Sequence, residues 1–464
     1  MPTKPKAPTI EAVTTINDDG SRYFVHPADV RGTFTRLRRV AAILLIAVYV
    51  MLPFIPINGQ PAVFLDVAHR KLHLFGLTLM FQDLWLLFFL ITGLGFGLFL
   101  VTAVIGRIWC GWACPQTVFL DHVFRRVERL IDGDAPARRR LDSAPWSASK
   151  ILRRTIKHAI YFLLAALIAH VFLSYFVSLP GLYTMVHQAP EKNWSTFVFV
   201  FALSGVLYFN FAWFREQFCI VLCPYGRLQS ALIDDNSIVI GYDAVRGEPR
   251  GRAGTTTGDC VDCRRCVQVC PTGIDIRQGL QLECISCTAC IDACDEIMEK
   301  LGRAKGLIRH ASLNTLAGRV SHFWRPRIFL YLILCLAGAS AFLFASRQVS
   351  PVILSVLRMQ GSPYFRDETS IRNNFLLRLA NKRAETHSFT VAVHSSEAGL
   401  AAVGAAEKTI VLPPGEEVRE PLILTLPDGD FHGPFDVRVQ ILDESGVLEA
   451  ERTVPFLGPF REQP

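Results

Sequence analysis

Five apolar runs, each close to twenty residues long, decide most of what this chain can become: 40–57, 84–106, 158–179, 195–214 and 328–346. A helix needs about 20 apolar residues to cross the hydrocarbon core of a bilayer, so each run is of spanning length. The composition agrees: 51% of the 464 residues are hydrophobic and 33 are Phe, which excludes a disordered chain. The first run is long for a signal-peptide core and lacks a small-residue cleavage site after it. It reads as a retained anchor, closed by Pro53 and Pro56. Segment 61–82 is shorter, half apolar, and carries Arg70 and Lys71. It is expected to lie on the membrane surface or to re-enter it.

Charge orients these runs. The net charge is +7, but the basic residues flank the apolar runs, so the partner expected is membrane lipid and not nucleic acid. Ten Lys/Arg fall between 106 and 156, including Arg138, Arg139 and Arg140, whereas loop 180–194 has only Lys192. Segment 215–327 is again Arg-rich. Basic loops stay cytoplasmic, which predicts a multi-pass inner-membrane protein with its N-terminus inside and its C-terminus outside. The expected divisions are a mobile cytoplasmic tail (1–39), four helices (40–227), a cytoplasmic insert (228–327), a fifth helix (328–346) and a periplasmic domain (347–464). Between 370 and 460, stretches such as "HSFTVAVHS" and "PFDVRVQILDESG" alternate polar and apolar residues, with turn residues about every ten positions. That pattern predicts an antiparallel β-sandwich.

Eight of the thirteen cysteines lie within 260–294, in "CVDCRRCVQVCPTG" and "CISCTACIDACDE". Each half is C-x2-C-x2-C-x3-C. Structural zinc sites use ligand pairs parted by a longer loop, whereas three thiolates in one tight loop suit three irons of a cubane, with the fourth iron reached from the other motif. Cys260, Cys263, Cys266 and Cys294 are therefore the expected ligands of one [4Fe–4S] cluster. Cys284, Cys287, Cys290 and Cys270 are those of a second, with a ferredoxin core over 252–303. Pro271 follows Cys270 as in the bacterial pattern, but Asp295 stands where a proline often follows the second motif.

Two further pairs, Cys110/Cys114 in "RIWCGWACP" and Cys219/Cys223 in "FCIVLCP", sit at the cytoplasmic ends of helices two and four. Residues i and i+4 project from one helical face, and the proline after each pair predicts unwinding there. The bland reading is small hydrophobes in apolar helices. Two matching pairs instead favour ligation of copper(I), zinc or an iron–sulfur centre. Arg107, Arg125, Arg126, Arg215 and Arg227 are expected to favour thiolate. Trp109 and Trp112 read as interfacial anchors, and Cys335 as a small hydrophobe. His158 and His170 face about 120° apart on one helix and cannot jointly hold a haem. His170 and Asn210 stand as polar residues within the membrane.

The C-x3-C-P pairs, "REQFCIVLCPYGRLQSALID", the double cluster motif, "FLDVAHRKLHLFG" and a last span before a β domain resemble the accessory protein of cbb(3)-type cytochrome c oxidase, the CcoG/FixG/RdxA family. Similar C-x3-C-P pairs occur in membrane components of nitrate- and nitrous-oxide-reductase systems, from which the C-terminal domain separates this chain. The resemblance implies a multi-domain membrane protein: a five-helix transmembrane bundle with a bacterial-type 2[4Fe–4S] ferredoxin insert and a C-terminal immunoglobulin-like β-sandwich. It implies a cupric reductase, Cu(II) to Cu(I), serving copper delivery and assembly of the oxidase. Cys110, Cys114, Cys219 and Cys223 then become copper ligands. The implied partners are copper-transport and oxidase-assembly proteins and a cytoplasmic electron donor that the sequence does not name; a homo-oligomer is allowed. Rival readings are a quinol-linked electron-transfer module and a non-catalytic assembly scaffold.

Overall fold

In a bilayer, a backbone apolar for twenty residues must satisfy its hydrogen bonds within itself, and the computed structural model shows that outcome five times. It describes residues 14–16, 22–80, 83–252, 258–348, 350–383, 385–397 and 399–459. The helices are α1 (Thr33–Met51), α2 (Trp85–Ile105), α3 (Ala148–Leu173), α4 (Trp194–Phe209) and α5 (Pro326–Arg347), all long and apolar enough to cross a membrane once α4 is taken with its flanking turns as Pro190–Phe214. Ile43, Phe88, Leu94, Leu163, Phe201 and Ile333 stand exposed along them, as lipid-facing residues do.

Two helices begin well before their apolar runs. α1 starts at Thr33 and not at 40, because the Asp292 carboxylate accepts the Phe34 N–H (3.3 Å), the Thr35 N–H (2.7 Å) and the Thr35 hydroxyl (2.7 Å). A carboxylate from 257 residues away thus serves as the N-terminal cap. Gly32 is required there, since a Cβ on it would lie 2.1 Å from the Asp292 Cγ. α3 starts at Ala148, capped by the Ser147 hydroxyl, which accepts from the Lys150 N–H. Its first turns carry Lys150, Arg153, Arg154 and Lys157, so the basic end of a predicted loop is helical. α2 and α5 meet at Gly93 and Gly338, where a Cβ on Gly338 would lie 2.8 Å from the Gly93 Cα. Small residues let spanning helices approach this closely. Cys335 packs beside Gly97 in the same seam, as a small hydrophobe should.

The chain divides into two compact units, one of residues 1–55, 61–69 and 84–343, the other of 56–60, 70–83 and 344–464. The second is the sandwich. One sheet runs Ala401–Gly404, Glu417–Pro427, Ser370–Asn381, Val352–Arg358; the other runs Thr409–Leu412, His387–Ser395, Phe435–Leu442, Leu448–Phe456. Alternate residues, among them Phe375, Leu377, Phe389, Val439 and Phe456, fill the space between them. Buried Asn373 is satisfied by the backbone of Leu457, donating to its carbonyl and accepting its N–H.

Segment 61–82 corrects its expectation. Lys71–Leu74 and Leu77–Met80 form a hairpin, turned at Phe75 and Gly76, both with positive φ, as two-residue hairpin loops demand. The hairpin is part of the sandwich unit: Met80 packs with Ile353 and Ala380, and Asp83 pairs with Lys382 at 2.6 Å. Phe81 and Gln82 lie outside the described residues. The mobile tail is corrected over residues 14–16 and 22–39, whereas 1–13 and 17–21 lie outside the described residues. Arg22 and His26 are buried in the first unit, and the Ala28 N–H donates to the Gln268 carbonyl. Polar composition suggested mobility, yet the tail's polar groups have specific buried partners.

Candidate metal centre

The strands Val239–Tyr242 and Ile308–Ala311 pair antiparallel, so the chain between them leaves and returns at one edge as a closed insert. Within it the two cysteine motifs repeat one backbone. Asp262 and Ser286, the second residues between the first two cysteines of each motif, have φ of 49° and 53°. Arg264 and Thr288, directly after the second cysteine, have φ of 55° and 65° and cap the helices Arg265–Gln268 and Ala289–Lys300. Left-handed non-glycine residues cost about 1–3 kcal/mol each. Four at matched positions mark a geometry held for its chemistry.

The thiols group across the motifs. Cys294 lies within electrostatic reach of Cys266, Cys263 and Cys260; Cys290 lies within reach of Cys287, Cys284 and Cys270. A cavity walled by Cys270, Cys284, Cys287 and Cys290, with Ile240, Ile274 and Ile276, opens at the second group, and Cys266 of the first group reaches it as well. Burial pushes Cys266, Cys284 and Cys294 up to about 12. Such thiols give up their protons only to a bound metal, and an all-sulfur set in an apolar wall fits iron–sulfur clusters. Asp295, where a proline was expected, accepts the Gly306 N–H at 2.8 Å and ties the helix to the returning chain.

The membrane cysteines occupy two copies of another local structure. α2 ends at Gly106 (φ 59°), and the π turn after α4, Asn210–Phe214, ends at Arg215 (φ 51°). A short helical segment follows each break, Ile108–Trp112 with Cys110 and Phe218–Leu222 with Cys219. Cys114 and Cys223 are then extended and cap helices that begin at Pro115 and Pro224. The pairs therefore do not share a face of one regular helix, which corrects the i, i+4 reading. Proline at the first helical position accounts for the break. The four thiols share one electrostatic neighbourhood: Cys110 and Cys223 act on one another's charge, as do Cys219 and each of Cys110, Cys114 and Cys223. Among the described residues, no three His, Cys, Asp or Glu side chains are already closed to single-ion spacing. Gln229, which the sequence reading missed, accepts from the Cys110 thiol at 3.3 Å.

The basic neighbours do not favour thiolate here. Burial, with Cys114 next in weight, pushes Cys110 up to about 11 despite Arg107, and burial raises Cys114 and Cys219 as well. Arg107 donates to the backbone carbonyls of Leu282 and Gly226, and Arg125 and Arg215 serve carboxylates. Arg125 pairs with Asp121 (2.6 Å) and Glu216 (3.1 Å), Arg22 with Glu216 (2.6 Å), and Arg215 and Arg138 with Glu128 (2.9 and 3.2 Å). Burial alone would raise Asp121, but Arg38 and Arg125 hold it well below the usual carboxylate range; Arg215 and Lys157 do the same for Glu128. The spacing of Asp121, Arg125 and Glu128 along one helix was the available signal for this network.

The Cys110 segment abuts the loop of the second insert motif. A Cβ on Gly111 would lie 2.4 Å from the Ile285 carbonyl oxygen and 3.0 Å from the Cys287 Cα. The Trp112 Nε1–H donates to the Ser286 carbonyl at 3.2 Å, so Trp112 is a strut between the motifs and not an interfacial anchor, while Trp109 remains exposed. Cys110 packs in one apolar cluster with Cys287 and Ala289. Elsewhere, Asn210 pairs with Gln116, His158 with Tyr208, and the His170 Nδ1 with the Ala166 carbonyl.

Known proteins match this layout. Residues 214–313 fit the family model "4Fe-4S dicluster domain", residues 84–132 "4Fe-4S binding domain", and residues 342–459 the "IG-like fold at C-terminal of FixG". The chain is 34% identical to the nitrogen fixation protein FixG of Rhizobium meliloti over 88% of its own length and 87% of the relative's. It is 35% identical to the protein RdxA of Cereibacter sphaeroides over 91% and 94%, and 34% identical to RdxB of the same organism over 85% and 86%. With its five apolar helices, ferredoxin insert and C-terminal sandwich, the chain belongs to the FixG/RdxA family as a membrane iron–sulfur electron-transfer protein.

Proposed function

We propose that the protein is a cupric reductase that converts Cu(II) to Cu(I) for assembly of a cbb(3)-type cytochrome c oxidase. The observation that carries this reading is the packing of the Cys110 segment, through Gly111, on the loop of Ile285 and Cys287, with Cys114, Cys219 and Cys223 within electrostatic reach of Cys110 or of one another. In it, Cys260, Cys263, Cys266 and Cys294 hold one [4Fe–4S] cluster, and Cys284, Cys287, Cys290 and Cys270 the other. When bound, such clusters supply single electrons at potentials set by burial and hydrogen bonding.

Cys110, Cys114, Cys219 and Cys223 bind copper as the substrate and release their protons on binding. Thiolate is a soft donor that prefers Cu(I), so this ligand set raises the ion's tendency to accept an electron. Each Cu(II) takes one. Gln229 orients the Cys110 sulfur, and Gly111 keeps the two backbones in contact. The reading places the insert and N-terminus in the cytoplasm, facing a soluble electron donor, and the sandwich in the periplasm, facing copper-transport and assembly partners.

The test is to purify the full chain with its clusters, reduce it, add Cu(II) and follow Cu(I) with a chelating dye. Replacing all four membrane cysteines by serine is expected to abolish the yield while iron content stays; an unchanged yield would end the ligand assignment. The family model over 84–132, whose description is iron–sulfur binding, favours a second reading in which these four thiols hold a further cluster. In that case the same variant loses iron and sulfide in proportion.

A further inference from the structure

A cavity of about 360 Å³ lies where the start of α1, the helix carrying Asp121 and Arg125, and the ferredoxin insert meet, all within the first unit. That size is within the range of small-molecule sites. Its inner wall is made of arginines already spoken for: Arg38 and Arg125 on Asp121, Arg138 on Glu128. Its rim carries Arg31, Arg39 and Arg126, exposed and without a carboxylate partner among the described residues. Arg39 acts on Arg126 as a like charge, while Asp29 and Asp121, which also line the cavity, act on it as opposite ones. Both carboxylates are already held, Asp29 by Arg129 and Asp121 by Arg38 and Arg125, so the rim keeps an excess of positive charge that an added anion would offset.

A second observation is independent of the charges. His122 lines the same cavity, and both of its ring nitrogens are buried without a hydrogen-bond partner. Orphaned buried polar atoms call for an explanation, and an unseen ligand is one. A topology signal for the inner face of a membrane needs exposed cations only. It requires neither a cavity nor an unpartnered imidazole inside it.

We infer that this cavity binds a phosphate group, carried either by the headgroup of an anionic lipid or by a soluble phosphate-bearing molecule. Arginine forks match phosphate oxygens two at a time, and His122 supplies a further contact at the wall. Cys287 lines the same cavity, so a bound phosphate sets negative charge beside the second thiol group. The inference does not rest on copper chemistry.

The test uses the full-length, cluster-loaded protein and the exposed double substitution Arg39→Gln/Arg126→Gln, with Arg31→Gln as a milder second variant and iron content as the check on folding. One arm titrates inorganic pyrophosphate into detergent-solubilised, delipidated protein by calorimetry. The other counts phosphatidylglycerol against phosphatidylcholine retained from bilayer nanodiscs of each composition. Losing two charge-assisted contacts is expected to weaken pyrophosphate binding, or retention of phosphatidylglycerol, by about tenfold or more. Pyrophosphate dependence alone identifies a soluble source, and phosphatidylglycerol dependence alone a headgroup. Equal behaviour of the native protein and both variants in both arms overturns the site.

Discussion

The eight thiols of the insert and the four at the membrane ends reach their places by opposite means. In the insert, sequence spacing does the positioning: each C-x2-C-x2-C run carries left-handed residues at matched places, and three thiols of each group come from a few consecutive turns. At the membrane, each C-x3-C-P motif supplies only two thiols, and the motifs lie more than a hundred residues apart. The second group exists because Gly106 and Arg215 both break their helices with positive φ and turn two short segments toward each other. A local motif tolerates loss elsewhere in the fold. A convergent site does not.

The largest effects should come from the ligands. Cys287→Ser is expected to remove one [4Fe–4S] cluster, about half of the iron, as read by metal analysis and paramagnetic resonance, whereas the local character of the first group leaves it loaded. Next comes the network beneath the convergent site. Glu216→Gln strands Arg22, while Arg125 keeps Asp121, and removing one partner of a buried pair costs about 3–5 kcal/mol. Denaturant unfolding of the full protein should show it, together with loss of copper reduction before loss of insert iron.

The same network has a pH signature. Asp121 and Glu128 are depressed in the folded state, so their stabilisation is complete above the unfolded carboxylate range of about 4 and is lost as pH falls below it. Thermal unfolding between neutral pH and about pH 3 should show that loss, and a flat profile would contradict the network's role. Smaller again is Gly111→Leu, which overpacks the contact with Ile285 and Cys287 at about 1–3 kcal/mol. Copper reduction should fall while both thiol groups still bind metal. Asp292→Ala is the mildest, about 1 kcal/mol for a lost cap, and circular dichroism should register a shortened α1.

The insert and the spans were legible because their signals are local. Cysteine spacing, apolar run length and two-residue alternation all act within a dozen residues or so. What escaped depends on distant partners. The start of α1 rests on Asp292, and the burial of Arg22 on Glu216. The hairpin at 71–80 looked membrane-bound because the partners of Met80, Ile353 and Ala380, lie far along the chain in the sandwich. The first sandwich strand, Val352–Arg358, went unread because it follows α5 almost directly and its apolar residues merge with that helix's pattern. The thiolate expectation failed because burial of Cys110 outweighs the pull of Arg107, and because Arg215 is already held by Glu128.

By itself the sequence determined the five spans, the ligand arithmetic of the insert and the sandwich, since run length, spacing and alternation translate directly into backbone geometry. Only the tertiary structure decided that the four membrane sulfurs lie within electrostatic reach of one another, that the Cys110 segment packs against Cys287, and that Arg125 and Arg215 hold carboxylates. Those are facts of desolvation and distance between segments far apart in the chain, and no local pattern encodes them.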